Sequence, residues 1–363
     1  MMDFTPAGSQ QAVAVLAAEV LAAPDTSDHW KELARAGLLD VSSLGVLDVT
    51  VLLTEIGRRV PSLKPLATLM TGALPLARWG CRPDLLAAVA SGELLLTAAL
   101  REPSNPQPDP SVTAITNGTI TGTKVGVLYA EQASLILVPA HLLTSSMIVA
   151  SSGHIATNTG HDHGVALVSP RAERVELKRT PSASGEPEYT LRMDGAPIEG
   201  LLGGADCVRD LYQLATAGAC ALADGAVAGA LSLTRDHVAT REQFGRPLAA
   251  FQAVSQQIAD VYIASRTLQL ATLSACWRLD AGPDRGPEMG PEMGTAAAAD
   301  LDVAGYWCAE QAPRSVRICH HLHGGLGMDV TYPLHRFSSL VADLVRFLGG
   351  AEYRLERQAC SST

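Results

Sequence analysis

The period of the hydrophobic pattern changes twice along this chain, and those changes constrain its fold more than any single motif. From residue 9 to about 96 apolar residues recur at helical spacing, as in Val13, Leu16 and Val20, or Val49, Leu52, Leu53 and Ile56, with breaks at Pro24, Pro61 and Pro65. From Leu94 the pattern turns to short β-branched or alternating runs: Leu94 to Leu100, Thr113 to Ile120 with Asn117-Gly118 inside, Leu135 to Val138, Val165 to Val168, Arg174 to Leu177, and Tyr189 to Met193 with an Asp194-Gly195 turn beyond. Helical spacing returns over Val208 to Thr240, Leu248 to Ala281, Thr295 to Leu322 and Pro333 to Phe347. The order predicts an α+β chain with an N-terminal helical domain over 1–93, a middle antiparallel β-barrel or sheet domain over 94–204, and a C-terminal four-helix bundle domain over 205–363. Pro103 to Pro110 and Pro181 to Pro187 read as surface loops, and the tandem Pro-Glu-Met-Gly repeat at 286–294 as a mobile loop between helices.

Composition excludes several classes of function. At 363 residues the chain exceeds what one core usually organises, and 47% hydrophobic against 18% charged residues is a well-buried, helix-rich composition. Only 4% of residues are aromatic and the net charge is −10, which disfavours base stacking and repels a phosphate backbone, so no nucleic acid is expected as partner. The seven cysteines are scattered with no C-x-x-C pair, which supports neither a disulfide framework nor a zinc site and suits reduced, mostly buried thiols in a cytoplasmic protein. The apolar run Ala12 to Ala23 has no Lys or Arg before Lys31 and is interrupted by Glu19, so it reads as a first helix rather than a signal peptide. No uninterrupted apolar stretch reaches the ~18–20 residues of a membrane span, and no membrane association is expected.

Two motifs carry chemistry. In Thr240-Arg241-Glu242-Gln243-Phe244-Gly245, an arginine follows a long helix, and the glycine is expected to end that helix. Arg241 placed there can make bidentate, charge-assisted bonds to a pyrophosphate. Gln252, expected about two turns into the next helix, offers a donor and an acceptor for ribityl or phosphate oxygens. The alternative is that Arg241 pairs with Asp236 or Glu242 and that Gln252 is a solvated helix position. The second motif is His320-His321-Leu322-His323-Gly324-Gly325-Leu326-Gly327, whose adjacent glycines let backbone approach a bulky ligand. Its histidines also invite a zinc reading, but only Cys319 accompanies them at suitable spacing, and no metal is expected.

Together these segments resemble the TR-x-x-FG…FQ and Q-x-x-GG-x-G segments of acyl-CoA dehydrogenases. Tyr332-Pro333-Leu334-His335-Arg336 resembles the YPL-x-R of that family, and Trp30, Leu33, Gly37 and Glu55-Ile56-Gly57 resemble its first-domain W-x-x-L-x-x-x-G and E-x-G. The resemblance spans essentially the whole chain. It implies α,β-dehydrogenation of an acyl-CoA with FAD as hydride acceptor, an electron-transfer flavoprotein as electron acceptor, and Arg241, Phe244, Gln252, His321, Gly324 and Gly325 as cofactor-binding residues, with His321 standing where the family has glutamine.

The resemblance breaks where the family does its chemistry. Its carboxylate base falls at Leu348 or Gly349 in most members and near Ala215 in a second subgroup, and none of these can take a proton. Asp210, Asp224, Glu242 and Glu352 are the carboxylates nearby. Glu242 reads as a structural ion-pair partner, and Glu352 reaches the site only if its loop shifts by about a turn. The family's T-E-P-x-A-G-S-D loop survives only as Glu102-Pro103, and its W-I-T strand reads Lys124-Val125-Gly126-Val127-Leu128, without the residues that hold the flavin ring.

The loss is asymmetric: residues that reach a neighbour's cofactor persist, while those that build this chain's own site are gone. That pattern resembles the catalytically silent subunit of actinobacterial α2β2 acyl-CoA dehydrogenases of steroid side-chain degradation, in which a homologous partner subunit carries base and flavin. The other two readings are a self-sufficient homotetramer using Glu352, and a non-enzymatic assembly protein of the same fold.

Overall fold

A computed structural model of the chain describes residues 8–22, 28–59, 62–80, 82–105, 112–143, 147–149, 155–157, 162–280 and 292–361. Helices α1 (Gly8–Val20), α2 (His29–Arg35), α3 (Val46–Arg59), α4 (Leu74–Arg78) and α5 (Pro83–Ala90) come first, with a π-helical segment Leu66–Ala73 leading into α4. Ten strands follow: β1 (Leu96–Ala98), β2 (Ala114–Thr116), β3 (Thr119–Leu128), β4 (Leu135–Leu142), β5 (Met147–Val149), β6 (Ile155–Thr157), β7 (Asp162–Val168), β8 (Val175–Thr180), β9 (Glu188–Pro197) and β10 (Gly200–Leu202). Next come α6 (Ala205–Thr240), the short β11 (Glu242–Gln243) and β12 (Arg246–Pro247), α7 (Gln252–Asp280), α8 (Glu292–His323), α9 (Leu334–Leu348) and α10 (Ala351–Ser361). The four long C-terminal stretches are the helices the periodicity predicts. Helix α10 is an addition to them.

The fold falls into two compact units. One comprises Met1–Pro24, Val46–Ser62 and Thr216–Thr363, the other Asp25–Gly45 and Leu63–Ala215. In the first, α3 buries Val49, Leu52, Leu53 and Ile56, the expected apolar stripe. Small residues let its backbone lie directly on α6: a Cβ added at Gly57 would collide with the Leu222 carbonyl, and one at Gly225 with that of Thr54. Helix α6 carries a window long and apolar enough to cross a membrane, but 89% of it is buried, as in a core helix.

In the second unit an eight-stranded sheet runs β10-β7-β4-β2-β3-β9-β8, with β1 also on β4. It is mixed rather than wholly antiparallel, because β1 and β2 both pair parallel to β4. Asn117 and Gly118, at φ 51° and 77°, form the two-residue turn between β2 and β3 that their sequence predicts. Asp194-Gly195 makes no turn. It lies inside β9 opposite a register shift at Ile120/Thr121, where Gly195 at φ 69° absorbs a bulge and its N–H donates to Thr121 Oγ1 at 3.0 Å. Residues 106–110 of the Pro-rich loop and 286–291 of the tandem repeat lie outside the described residues, and the last three repeat residues open α8. Cys207, Cys220, Cys276, Cys308 and Cys319 are buried and free.

Candidate functional site

The first candidate segment is a hairpin. Helix α6 stops at Thr240, whose hydroxyl turns back to the Asp236 carbonyl at 3.0 Å. Gly245 therefore does not end the helix, as its spacing suggests. Phe244 at φ 55° and Gly245 at φ 78° form the turn joining β11 to β12, and the Arg241 carbonyl closes the loop by accepting from Leu248 N–H at 2.8 Å. Phe244 stands at the apex, 90% exposed, edge-on to Phe251 at 6.1 Å between centroids. The Arg246 guanidinium lies 4.0 Å over the other ring of that pair, Phe251, and holds it extended. Because of that extended residue, Gln252 is the first residue of α7, exposed, and not two turns into a helix.

Arg241 is exposed, and its guanidinium makes no ion pair among the described residues. Asp236 pairs instead with Arg235 at 3.2 Å. Glu242 is likewise exposed and without an ion pair among the described residues, so the structural role expected of it is not what the hairpin shows.

The second segment follows α8. His321, Gly324 and Gly325 are exposed, Gly324 at φ 59°, with open space around both glycines. His323 is buried: its Nδ1 lies 2.8 Å from the Cys319 carbonyl, its Nε2 3.0 Å from the Tyr332 hydroxyl, and its ring stacks on His237 at 4.5 Å and 17°. Burial lowers the pKa of both imidazoles, assisted by the Arg241 charge at His237 and by His237 and His320 at His323. His237 lies one turn before Arg241, so the stack brings the hairpin's root to the root of the Gly324-Gly325 turn. Nothing in the sequence marks His237 for this, and Tyr332 is visible only as part of the YPL resemblance. Leu326, Met328 and Val330 beyond the glycines are 40, 79 and 81% exposed.

Leu348, where the resemblance expects a base, lies against a buried arginine. Leu348, fully buried, ends α9, and Gly349 and Gly350 at φ 87° and 88° cap it. Arg354 on α10, 2% exposed, donates from Nε to the Leu348 carbonyl at 2.8 Å and from Nη2 to Thr216 Oγ1 at 3.4 Å, while Asp302 accepts from Arg354 Nη1 at 3.4 Å and from Arg357 Nε at 3.0 Å. Thr216 directly follows Ala215. Glu352, two residues before Arg354, is exposed on the first turn of α10, about 200° around the helix from it. Of the other carboxylates, Asp210 is held by Arg78 at 3.0 Å and by Trp79 Nε1 at 3.1 Å. Burial raises Asp224 to about 7.

In the sheet, Glu102 is buried and accepts from Thr113 N–H at 2.9 Å and Lys124 Nζ at 3.0 Å. That pair explains why Glu102 persists. Two residues on, Gly126 sits at φ 68° in a register shift of β3, and a Cβ there would collide with the Arg101 guanidinium. Where the family resemblance expects W-I-T, this strand seats an arginine. Among the described residues no group of His, Cys, Asp and Glu has a metal-holding arrangement.

A helical start, a mixed sheet and a bundle of long helices, with these motifs in this order, form the architecture of acyl-CoA dehydrogenases, and comparison with known proteins agrees: the chain belongs to the acyl-CoA dehydrogenase family. The family model "Acyl-CoA dehydrogenase, C-terminal domain" matches residues 207–356. The chain is 42% identical to acyl-CoA dehydrogenase FadE28 of Mycobacterium tuberculosis, over 98% of this chain and 97% of that one. Among solved structures it is similar to the ChsE4-ChsE5 complex of Mycobacterium tuberculosis, with a TM-score of 0.82, 28% identity and coverage of 99% and 98% of the two chains. It is also similar to the Tcur3481-Tcur3483 steroid ACAD, with a TM-score of 0.80, 30% identity and 97% of each chain covered.

Proposed function

We propose that this chain is the non-catalytic subunit of a heteromeric FAD-dependent acyl-CoA dehydrogenase, acting on a bulky, steroid side-chain type of acyl-CoA and completing the FAD site of a homologous catalytic subunit. The observation that carries this reading is Arg354. It bonds to Leu348, one position where the resemblance puts the base, and to Thr216, the residue after the other, and a guanidinium held by Leu348, Thr216 and Asp302 donates hydrogen bonds and accepts no proton. Glu352 is exposed, about 200° around α10 from Arg354, which speaks against its serving as the base of a self-sufficient enzyme.

The residues present fit one half of a flavin site and not the other. Arg101 is seated on Gly126 in the strand where the resemblance expects W-I-T to hold the flavin ring, so the residues present do not fit a flavin of this chain's own. The exposed Arg241, the Phe244 apex, Gln252 at the start of α7, His321 and the open Gly324-Gly325 backbone fit the pyrophosphate and adenosine portion of a flavin held by another chain. The group held there would supply the hydride acceptor for α,β-dehydrogenation, with the base coming from the partner subunit. This chain's part is to bind and orient: Arg241 neutralises pyrophosphate charge, and the exposed Phe244, Met328 and Val330 give the partner an apolar rim around it. Two neighbours, the ChsE4-ChsE5 complex and the Tcur3481-Tcur3483 steroid ACAD, support the heteromeric and steroid parts of the reading. An electron-transfer flavoprotein would then reoxidise the complex.

The test is visible flavin absorbance of the chain alone and co-expressed with its homologous subunit. The chain alone is expected to be colourless and the complex yellow, with Arg241→Ala losing flavin and Glu352→Gln retaining full turnover. A yellow, active protein from this chain alone would overturn the proposal.

A further inference from the structure

We infer that His237 and His323 are positioning residues, a stacked imidazole pair that sets the Arg241 hairpin against the Gly324-Gly325 turn so that both cofactor-reaching segments are in place before the partner's FAD arrives. The inference rests on the shared-site reading above and assigns the part of the chain that makes that site rigid.

The geometry fixes the state of the pair. The Cys319 carbonyl can only accept, so His323 Nδ1 carries the proton, and Nε2 accepts from the Tyr332 hydroxyl. With both nitrogens engaged and the ring buried, His237 covers one face of His323 nearly parallel, while the Tyr332 ring lies tilted 5.2 Å away. The contact joins segments 86 residues apart in sequence: His237 O accepts from Arg241 N–H at 2.9 Å, and Gly324 follows His323 directly. Beyond the stack both segments run out to solvent, with Phe244, Gly245, Gly324 and Gly325 all exposed. Flexible segments would lose conformational freedom on binding the cofactor, and a preset pair loses less.

The charges facing the pair decide how it responds to acid. Helix α6 and its end bring Asp236 and Arg241, α8 brings Cys319 and His320, the following loop brings Tyr332, and α9 brings His335, which binds the Tyr332 carbonyl at 2.7 Å. The Arg241 charge resists a proton on His237, and His237 and His320 resist one on His323. A proton on His323 Nε2 would also turn the Tyr332 hydroxyl from donor to acceptor. As pH falls, two stacked cations replace a neutral pair, and the hairpin loses its anchor.

The experiment uses the complex with the catalytic subunit, titrated with FAD between pH 5.5 and 8. His237→Phe keeps a flat ring without a titrating nitrogen, His237→Ala removes the ring, and Arg241→Ala serves as reference. The expected result is that His237→Ala weakens FAD binding roughly tenfold at pH 8, the ratio that a loss of about 1.4 kcal/mol produces. His237→Phe binds as the parent does at pH 8 and weakens less than the parent on acidification, the remaining loss coming from His323. The inference is overturned if His237→Ala binds FAD like the parent while Arg241→Ala does not, or if His237→Phe retains the parent's pH profile. If Arg241→Ala also binds FAD normally, the shared-site reading falls and takes this inference with it.

Discussion

The Arg354 Nε donates to the Leu348 carbonyl at 2.8 Å, so a residue of the last helix closes the end of the helix before it. The same guanidinium reaches Thr216 and Asp302, and Asp302 also holds Arg357. Four helices, α6, α8, α9 and α10, thus meet at one buried cation.

Replacing that cation strands part of the network. Arg354→Met is expected to cost about 3 kcal/mol, since removing one partner of a buried pair leaves the other's charge uncompensated, with Arg357 limiting the damage at Asp302. The urea midpoint of the variant measures it, and a loss well under ~1 kcal/mol would mean that the pair is not held as described. No acyl-CoA turnover should appear in the variant, because the change supplies no base.

Asp224 makes stability fall with rising pH. It lines a cavity of ≈ 410 Å³ with Arg58, Arg266 and Tyr262, and burial raises its pKa from 3.8 to about 7 against the pull of the two arginines. Between those values the folded state holds a proton that the unfolded chain has lost. Asp224 therefore costs nothing below the unfolded pKa and costs progressively more up to about pH 7. Asp224→Asn should then gain about 1–3 kcal/mol over the parent at pH 8 and much less at pH 5. Equal gains at the two pH values would refute this assignment.

Glu102 has the opposite sign. Burial opposes its ionisation, but hydrogen bonds from Thr113 and the Lys124 charge overcome it and hold the carboxyl at about 2. Its contribution is complete above the unfolded value of 4.5 and is lost as pH falls toward 2. Lys124, pushed down to about 8 by burial, is the partner at risk: Lys124→Met should destabilise the sheet unit by about 3–5 kcal/mol, and Glu102→Gln should flatten the acid limb of the unfolding profile. Matching acid limbs in parent and Glu102→Gln would exclude Glu102 as their source.

Gly225 sets the distance between α3 and α6. A Cβ there would collide with the Thr54 carbonyl and come within 2.8 Å of Arg58 N, both backbone atoms that cannot swing away. Gly225→Ala should cost about 1–3 kcal/mol by overpacking, although alanine is the better helix former, and thermal unfolding reads the outcome directly. A stabilised variant would show that the helices lie further apart.

Much of this was legible from residue order because it depends on local periodicity. The stretches Val208 to Thr240 and Pro333 to Phe347 carry their helical stripes in the sequence, and Asn117-Gly118 states its own turn. Misplacements fall where a distant or unusual contact overrides spacing. Gln252 opens α7 because Phe251 is held extended under Arg246, and Gly195 absorbs a bulge because β3 presents one residue too few opposite it. Helix α10 was not foreseen, since its anchor, Arg354, is a charged residue whose burial no local pattern announces.

By itself the sequence determined the family, and it determined that Ala215, Leu348 and Gly349 carry no ionisable side chain, because that depends on residue identity alone. It also supplied Arg241 and the paired glycines on which the proposed cofactor contact rests. Only the tertiary structure decided that Arg354 lies against Leu348 and Thr216, that Arg101 is seated on Gly126, and that His237 covers His323. The destination of a guanidinium or an imidazole is set by partners far away in the chain, and spacing along the chain carries no record of them.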